Sequence, residues 1–411
     1  MSATGGFWSR LRYWSGATFA RRPRRPRSTR LRVGLAFAAV ALAAAGCSAV
    51  PYYTQAVAGE FSLLAAARPI PEWLADPATP PELRERLELS ARIRAFASHD
   101  LALPQNRSYT RYADLHRGSA VWNVFATPPL SLTLKTWCYP LFGCAAYRGY
   151  FALAGAQRLA DELAAQGMDT TVAPVPAFST LGWFPDPLLS TFVHWPEPEL
   201  ARLIFHELAH QVVYVSDDTR FNESFATAVE HAGLARWVDQ RNDPGLREQY
   251  RLYQIRHAGL LALVAQTRRE LEDAYGAPLP DAARLARKQA IFARLPERYR
   301  RMRDEQWEGY KGYDGFFLAP WNNARIAALA AYQDDVPAFE ALLASVDGDL
   351  PRFFAGVKRL ARLAPSERER ALRAQLAPAS ANAFGGANAA PQTGKWSMID
   401  PATGNIDEPP G

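Results

Sequence analysis

Cysteine is scarce in this chain, with three residues among 411. Cys47, Cys138 and Cys144 form no C-x-x-C pair, which excludes a disulfide-rich scaffold and a cysteine-based zinc site. The sequence also lacks a glycine-rich phosphate loop and a nucleophile elbow. The sequence therefore does not support nucleotide binding through a P-loop or hydrolysis by a serine on a nucleophile elbow.

Acidic residues and lysine are absent from residues 1–46, which carry nine arginines. The whole chain has a formal charge of +6, with 47 basic and 41 acidic residues. Beyond residue 46 the basic residues fall to 38, and the net charge becomes −3. The basic excess belongs to the first segment, so we expect no nucleic-acid partner.

This first segment has the anatomy of an export signal. Arginines from Arg21 to Arg32 precede the apolar run Val33–Ala45, which is too short to span a bilayer. Small residues directly before Cys47 resemble a lipoprotein signal, in which the cysteine is lipidated and becomes the mature N-terminus. A simple signal peptide or an uncleaved anchor is the alternative. Because Ser48 rather than Asp follows the cysteine, the resemblance implies an outer-membrane lipoprotein that faces the periplasm.

The remaining pattern predicts a mainly α-helical domain with one small β-sheet near its front, an α+β fold. We expect a signal peptide over residues 1–46, one domain over 47–375 and a disordered tail over 376–411, which is rich in Ala, Asn, Gly and Pro. Alternating and helical spacings predict strands over 119–126, 131–137 and 170–175, and helices over 54–67, 81–99, 151–166, 196–216 and 221–240. Further helices are expected from 244 to 373.

Cys138 and Cys144 are candidates for a disulfide. Five residues separate them, enough for the loop that such a bond closes, and an exported protein meets an oxidising compartment. Two buried free thiols are the alternative.

The strongest chemical signal is an H-E-x-x-H pattern formed by His206, Glu207 and His210. On a helix, residues four apart share one face, so the two imidazoles can bind one Zn²⁺ ion. Zinc lowers the pKa of a bound water to about 7, and Glu207 can then act as general base. Two surface histidines beside a glutamate are the alternative. The helix is apolar on most sides, however, and buried histidines need a partner, which a metal supplies.

A second segment offers the third ligand that a catalytic zinc needs. Phe221–Glu230 reads FNESFATAVE, and N-E-x-F-A after HELAHQ resembles the second zinc helix of the gluzincin peptidases, especially the M1 aminopeptidases. The resemblance implies Glu223 as the ligand and Glu230 as a partner of a ligating histidine. The gap between His210 and Glu223 is shorter than in the M1 aminopeptidases, so Glu230 stays open as the alternative ligand.

The wider chain resembles a bacterial family of predicted aminopeptidases, which are zinc-dependent lipoproteins. The matching stretches, beyond the two zinc helices, are VWNVFA (Val121–Ala126), CAAYRGYF (Cys144–Phe151), FSTLGWFPDP (Phe178–Pro187) and WNNA (Trp321–Ala324). The resemblance implies a zincin-like metallopeptidase with a helical C-terminal half, one zinc ion and a peptide substrate.

Exopeptidase action rests on that resemblance alone. The M1 aminopeptidases capture the free amine with a Gly-x-Met-x-Asn strand, which this chain lacks. A non-catalytic envelope lipoprotein that uses a zincin scaffold to bind peptides or partners is the alternative function.

The residue that stabilises the transition state is not fixed by any motif. Tyr313, which lies among glycines, is our candidate, with Tyr310 and His231 as others and core packing as the alternative. Ser179–Gly182 stand where zincins often carry the strand that lines the substrate; a structural loop is equally compatible with the sequence.

Overall fold

The computed structural model describes residues 52–139, 143–177, 179–330 and 335–376. The expected signal peptide, the lipidation site at Cys47 and all of the expected tail beyond residue 376 lie outside these ranges. The chain divides into two units, residues 1–54 and 55–411. Every described strand, and every described helix that begins after residue 66, lies in the second unit.

Helices dominate the described chain, and small sheets accompany them, as the sequence predicts for an α+β fold. The helices are α1 (helical over residues 52–66), α2 (Ile70–Ala75), α3 (Pro81–His99), α4 (Leu153–Ala165), α5 (Glu197–His210), α6 (Thr219–Arg241), α7 (Pro244–Gly276), α8 (Asp281–Gln306), α9 (Asp314–Phe317), α10 (Asn323–Ala330), α11 (Val336–Ala344), α12 (Leu350–Ala361) and α13 (Pro365–Ala374). The strands are β1 (Arg68–Pro69), β2 (Arg111–Ala113), β3 (Val121–Thr127), β4 (Trp137–Tyr139), β5 (Gly143–Ala145), β6 (Arg148–Tyr150), β7 (Asp169–Val175) and β8 (Leu188–Leu189).

Helix starts follow local chemistry. Helices α3 and α5 carry proline in their first turn, where a missing N–H costs nothing. Helix α6 is capped by Asp218, whose carboxylate accepts a hydrogen bond of 3.0 Å from the backbone N–H of Phe221. The cap sets the register in which α6 presents its side chains to α5.

The largest strand pairing places β3 between β6 and β7, antiparallel to both. Alternate side chains of β3 point to opposite faces of the sheet. Val124 and Ala126 pack with α4 on one face, and Phe125 packs with Ala324 and Ala328 of α10 on the other. This sheet is thus covered by a helix on each face.

A second small sheet has the order β1-β2-β8, with β2 parallel to β8. Because parallel partners run in the same direction, the segments that precede them lie side by side. The backbone N–H of Tyr109, before β2, donates a hydrogen bond of 2.7 Å to the carbonyl of Asp186, before β8. The third sheet is the β4–β5 hairpin, in which a disulfide joins Cys138 to Cys144.

Two hydrophobic clusters organise the helices. The larger one surrounds α5 and α6 and includes Phe205, Phe225 and Phe339. The other lies along α7 and α8 and extends to Phe317. None of the described helices is both long enough and apolar enough to cross a membrane.

Three sequence-based expectations need correction. In place of the expected single sheet, the described residues form three small ones. Of the strand expected over 131–137, only residue 137 is in a strand, because side chains from distant helices bind the carbonyls of Pro128, Pro129 and Ser131. The helix expected over 196–216 ends at His210. Beyond it the chain turns, since both backbone groups of Val215 bond to the side chain of Asn222.

Candidate metal centre

Helix α5 is buried on nearly all sides, which places its polar residues in the interior. Pro198 and every residue from Leu200 to His210 are buried. His206 is 0% exposed, and Glu207 and His210 are each 3% exposed. Polar side chains at such positions require partners, because an unpaired buried polar group costs about 1–3 kcal/mol.

Helix α6 packs against α5 and supplies those partners. Its buried stretch begins at Phe221 and includes Glu223 (7% exposed) and Glu230 (0% exposed). Glu230 follows Glu223 by seven positions, which is about two helical turns, so both carboxylates face α5.

Three side chains converge to form a group that could hold a metal ion: His206, His210 and Glu223. Their ligand atoms all lie within 4.8 Å of one another. The Nε2 atoms of the two histidines are 3.1 Å apart, and Glu223 Oε2 lies 3.3 Å from His206 Nε2 and 3.7 Å from His210 Nε2.

These separations fit the donor geometry of a small tetrahedral cation. Metal–ligand bonds of about 2.0–2.2 Å at tetrahedral angles set neighbouring donor atoms about 3.3–3.6 Å apart. The three observed separations, 3.1, 3.3 and 3.7 Å, bracket that range. Two imidazole nitrogens and one carboxylate oxygen are also the donor types that zinc takes in catalytic sites.

Glu230 lies behind His206 and is not one of the converging residues. Its Oε2 is 3.1 Å from His206 Nδ1, and its Oε1 is 3.3 Å from Arg202 Nη1. A proton on Nδ1 that is donated to Glu230 leaves the Nε2 lone pair facing His210 and Glu223. Of the two candidate ligands from the sequence, the structure brings Glu223 to the triad and places Glu230 as the partner of His206.

The electrostatics of the triad follow from burial and close pairing. Burial acts to lower the pKa of His206, but hydrogen bonds with Glu223 and Glu230 outweigh it and raise the pKa to about 9, so a metal ion that binds Nε2 must displace a proton from His206. Burial acts to raise the pKa of Glu223, whereas His210 and His206 lower it to about 2. Glu223 is therefore anionic, as a ligand must be.

Glu207 stands beside the triad in a different setting. Burial raises its pKa, which makes it a stronger proton acceptor than a surface carboxylate. The Ser179 hydroxyl donates a hydrogen bond of 3.3 Å to Asp186, and its interaction with Glu207 partly offsets the rise in the pKa of Glu207. The fully buried Tyr109 lies nearby, and Glu207 is the charged group that most raises its pKa after burial itself.

Residues 179–184 form a loop rather than a strand. Asp186 organises it by accepting hydrogen bonds from the Thr180 N–H (3.0 Å) and hydroxyl (2.7 Å). Leu181 and Gly182 have positive φ values, of 55° and 84°, which an extended strand does not permit. The loop reaches Glu207, beside the triad, through Ser179. Of the two conformations that the sequence left open, strand and loop, the structure has the loop.

The structure describes Tyr313 and His231 in contacts with residues outside the triad. The ring of Tyr313 packs edge-on to Trp307 at 5.6 Å, inside the cluster along α7 and α8. His231 Nδ1 lies 2.9 Å from Glu340 Oε1. The contacts described for Tyr313 give its catalytic role no support, and that role stays a prediction.

Sequence reasoning missed two residues next to the triad. The side chain of Asn222, beside Glu223, binds the backbone of Val215 at 2.8 and 2.7 Å. Tyr214, the residue before Val215, places its ring 6.4 Å from that of His210. The N-E pair marked Asn222, but no local pattern marks Tyr214, because its position depends on where α5 ends.

Comparison with known proteins gives one match. No curated protein and no solved structure matches the chain. The family model described as "Putative aminopeptidase" matches residues 51–372. Since this match covers well over half of the sequence, the protein belongs to that aminopeptidase family.

Proposed function

We propose that this protein is a zinc-dependent peptidase and that Glu207 is its general base. The observation that carries the proposal is the triad of His206, His210 and Glu223, whose spacing and donor types fit zinc, with Glu207 buried beside it. Membership of an aminopeptidase family supports peptide hydrolysis as the reaction.

The residues of the site have different roles. His206 and His210 with Glu223 would hold the ion, and Glu230 fixes the ring orientation of His206 through its 3.1 Å contact. When bound, zinc supplies an acidified water and polarises the substrate carbonyl. Glu207 takes a proton from the attacking water and passes it to the leaving amine.

The location of the protein is a further part of the proposal. Lipid attachment at Cys47 would tether the domain to the outer membrane on its periplasmic side. The signal-like segment before Cys47 supports export, and the disulfide between Cys138 and Cys144 suits an oxidising compartment. A Cys47→Ser variant should leave the membrane fraction for the soluble one; retention in the membrane would contradict lipid anchoring.

Metal analysis of the purified protein tests the site. The wild type should carry one equivalent of zinc, and His206→Ala should lose it. His231→Ala is the matched control, because His231 lies on α6 but pairs with Glu340 outside the triad. A folded wild type without metal, or equal zinc in both variants, contradicts the proposal.

Peptide cleavage tests the reaction. Wild type and Glu207→Gln are incubated with a mixed peptide library, and products are identified by mass spectrometry. Loss of the general base should lower the rate by about 100- to 10,000-fold while zinc stays bound. Zinc without cleavage by the wild type favours the non-catalytic scaffold instead. Cleavage one residue from the N-terminus identifies an aminopeptidase.

A further inference from the structure

Tyr214 stands at the edge of the triad in a position suited to substrate contact. It follows His210 by four residues, and the two rings meet edge to face with centroids 6.4 Å apart. Unlike the buried ligands, Tyr214 is 47% exposed. Part of its side chain therefore lies beside the metal ligands while part remains open to a molecule that approaches from solvent.

The backbone that carries Tyr214 is held in place from α6. Asn222 is 1% exposed and accepts a hydrogen bond of 2.8 Å from the Val215 N–H, while its amide donates one of 2.7 Å to the Val215 carbonyl. Asn222 directly precedes Glu223, so one turn of α6 fixes both a metal ligand and the tyrosine segment. Such double anchoring keeps a loop residue in one orientation before substrate binds.

A second anchor lies three residues beyond the tyrosine. Asp217 adopts the left-handed conformation, with φ of 65°, and its carboxylate accepts a hydrogen bond from the backbone N–H of Cys144. Asp218 then caps α6 and pairs with Arg368 at 2.7 Å. Residues 215–218 are thus fixed at both ends of the turn between the two metal helices.

Tyr214 and Glu207 share the triad residues His210 and Glu223 as neighbours but differ in the others. Beyond the triad, Glu207 has Ser179, Asp186 and the buried Tyr109 around it. Beyond the triad, Tyr214 has Asp217 beside it. A peptidase needs a base at one part of its site and a hydrogen-bond donor at another, where the carbonyl oxygen gains charge.

We propose that Tyr214 is a catalytic residue whose phenolic hydroxyl donates a hydrogen bond to the substrate carbonyl oxygen as that oxygen becomes negative. This role rests on the proposed peptidase function. In the first step the water oxygen bonds to the carbonyl carbon, one water proton passes to Glu207, and the C=O π electrons move to the oxygen. That oxygen accepts the hydrogen bond from Tyr214.

In the second step the C=O bond re-forms and the C–N bond breaks. The proton on Glu207 passes to the leaving nitrogen, and the hydrogen bond from Tyr214 weakens as the charge on oxygen is lost. An interaction that strengthens only in the transition state raises kcat and leaves KM nearly unchanged. A phenol, whose ordinary pKa is about 10, remains a donor at neutral pH.

The test compares three phenylalanine variants that each remove one hydroxyl. Tyr214→Phe should lower kcat by about 100- to 1,000-fold, the usual cost of losing one oxyanion donor, with little change in KM. Tyr299→Phe is the control and should keep full activity, because the Tyr299 hydroxyl donates to Asp314 within the cluster along α7 and α8. Tyr109→Phe, on the Glu207 side, removes the other tyrosine hydroxyl near the site.

Two further measurements separate catalysis from structure. Zinc content of Tyr214→Phe should equal that of the wild type. A phosphinic peptide, which mimics the tetrahedral intermediate, should bind the variant more weakly by the same factor as the loss in kcat/KM. An active wild type with unchanged kcat in Tyr214→Phe, or a loss that follows lost zinc, overturns the role of Tyr214. A wild type without zinc or cleavage overturns the peptidase function, and this role with it.

Discussion

Among single residues, Glu230 has a role that its contacts define closely. It uses both carboxylate oxygens, one toward His206 and one toward Arg202, at 3.1 and 3.3 Å. In Glu230→Gln, the amide can replace only one of these contacts, because its NH2 group cannot accept a hydrogen bond from either partner. We expect zinc affinity to fall about 10- to 100-fold, as measured by competition with a chromophoric chelator.

The control for this change is Glu340→Gln. Glu340 makes the same kind of contact with a histidine, His231, at 2.9 Å, but outside the triad. Its loss should leave zinc affinity unchanged. Equal affinity in Glu230→Gln and the wild type would show that His206 needs no partner to bind the metal.

The positions of the two histidines and of Glu207 were predictable from sequence because their geometry is local. Residues four apart on a helix share a face whatever the rest of the fold does. Glu223 was predicted only from the family resemblance, because α5 and α6 must pack together before its carboxylate can reach the histidines. The sequence did not indicate the position of Tyr214, because the apolar residues after His210 continue the helical pattern. In the folded protein, the side chain of Asn222 instead binds both backbone groups of Val215. A tertiary contact overrides a local pattern at that point.

At the level of elements, the β4–β5 hairpin links the disulfide to the turn between α5 and α6. Cys144 donates its backbone N–H to Asp217, which lies in that turn. We expect the double variant Cys138→Ser with Cys144→Ser to lower the free energy of unfolding by about 2 kcal/mol, the chain-entropy value for so short a loop. Urea denaturation measures the change.

A reductant provides the internal control for the hairpin. It should lower the urea midpoint of the wild type toward that of the double variant and leave the variant itself unaffected. If the reductant changes both proteins alike, its effect does not come from this disulfide.

Elements that depend on distant side chains were the least predictable. Residues 131–137 alternate like a strand, but Asn323 donates its amide to the carbonyls of Pro128, Pro129 and Ser131. Lys288 adds a bond of 2.9 Å to the Pro129 carbonyl. These donors come from α10 and α8, more than 150 residues further along the chain. The pattern of a few neighbouring residues therefore cannot indicate contacts with side chains so far along the chain.

At the level of the whole molecule, burial of carboxyl groups near the site affects stability. Burial raises the pKa of Asp186 to about 6, with Glu207 adding to the effect and hydrogen bonds from Thr180 opposing it. Burial, with Asp186 contributing, also raises the pKa of Glu60 to about 7. Both carboxyls bind a proton more tightly in the folded protein than in the unfolded chain, so their effects on folding have the same sign.

The sign of the pH dependence follows from these shifts. A carboxyl with a raised pKa in the folded state contributes stability below its unfolded pKa, near 4, and that contribution disappears as pH rises through the folded value. For Asp186 the window runs from the ordinary value of 3.8 to about 6. Because one pKa unit equals about 1.4 kcal/mol, the contribution is about 3 kcal/mol at most.

Asp186→Asn isolates this contribution from those of the other titrating groups. Asn keeps a similar shape and an acceptor for the Thr180 bonds but carries no charge, so it avoids the cost of a buried carboxylate. Other groups, such as His206 and Glu223, titrate in both proteins and largely cancel in the difference. The stability of the variant relative to the wild type should therefore rise between pH 4 and 7 and level off above, as measured by urea denaturation at each pH. A difference that stays constant across this range would mean that Asp186 is ionised at low pH in the folded protein and that burial does not set its protonation.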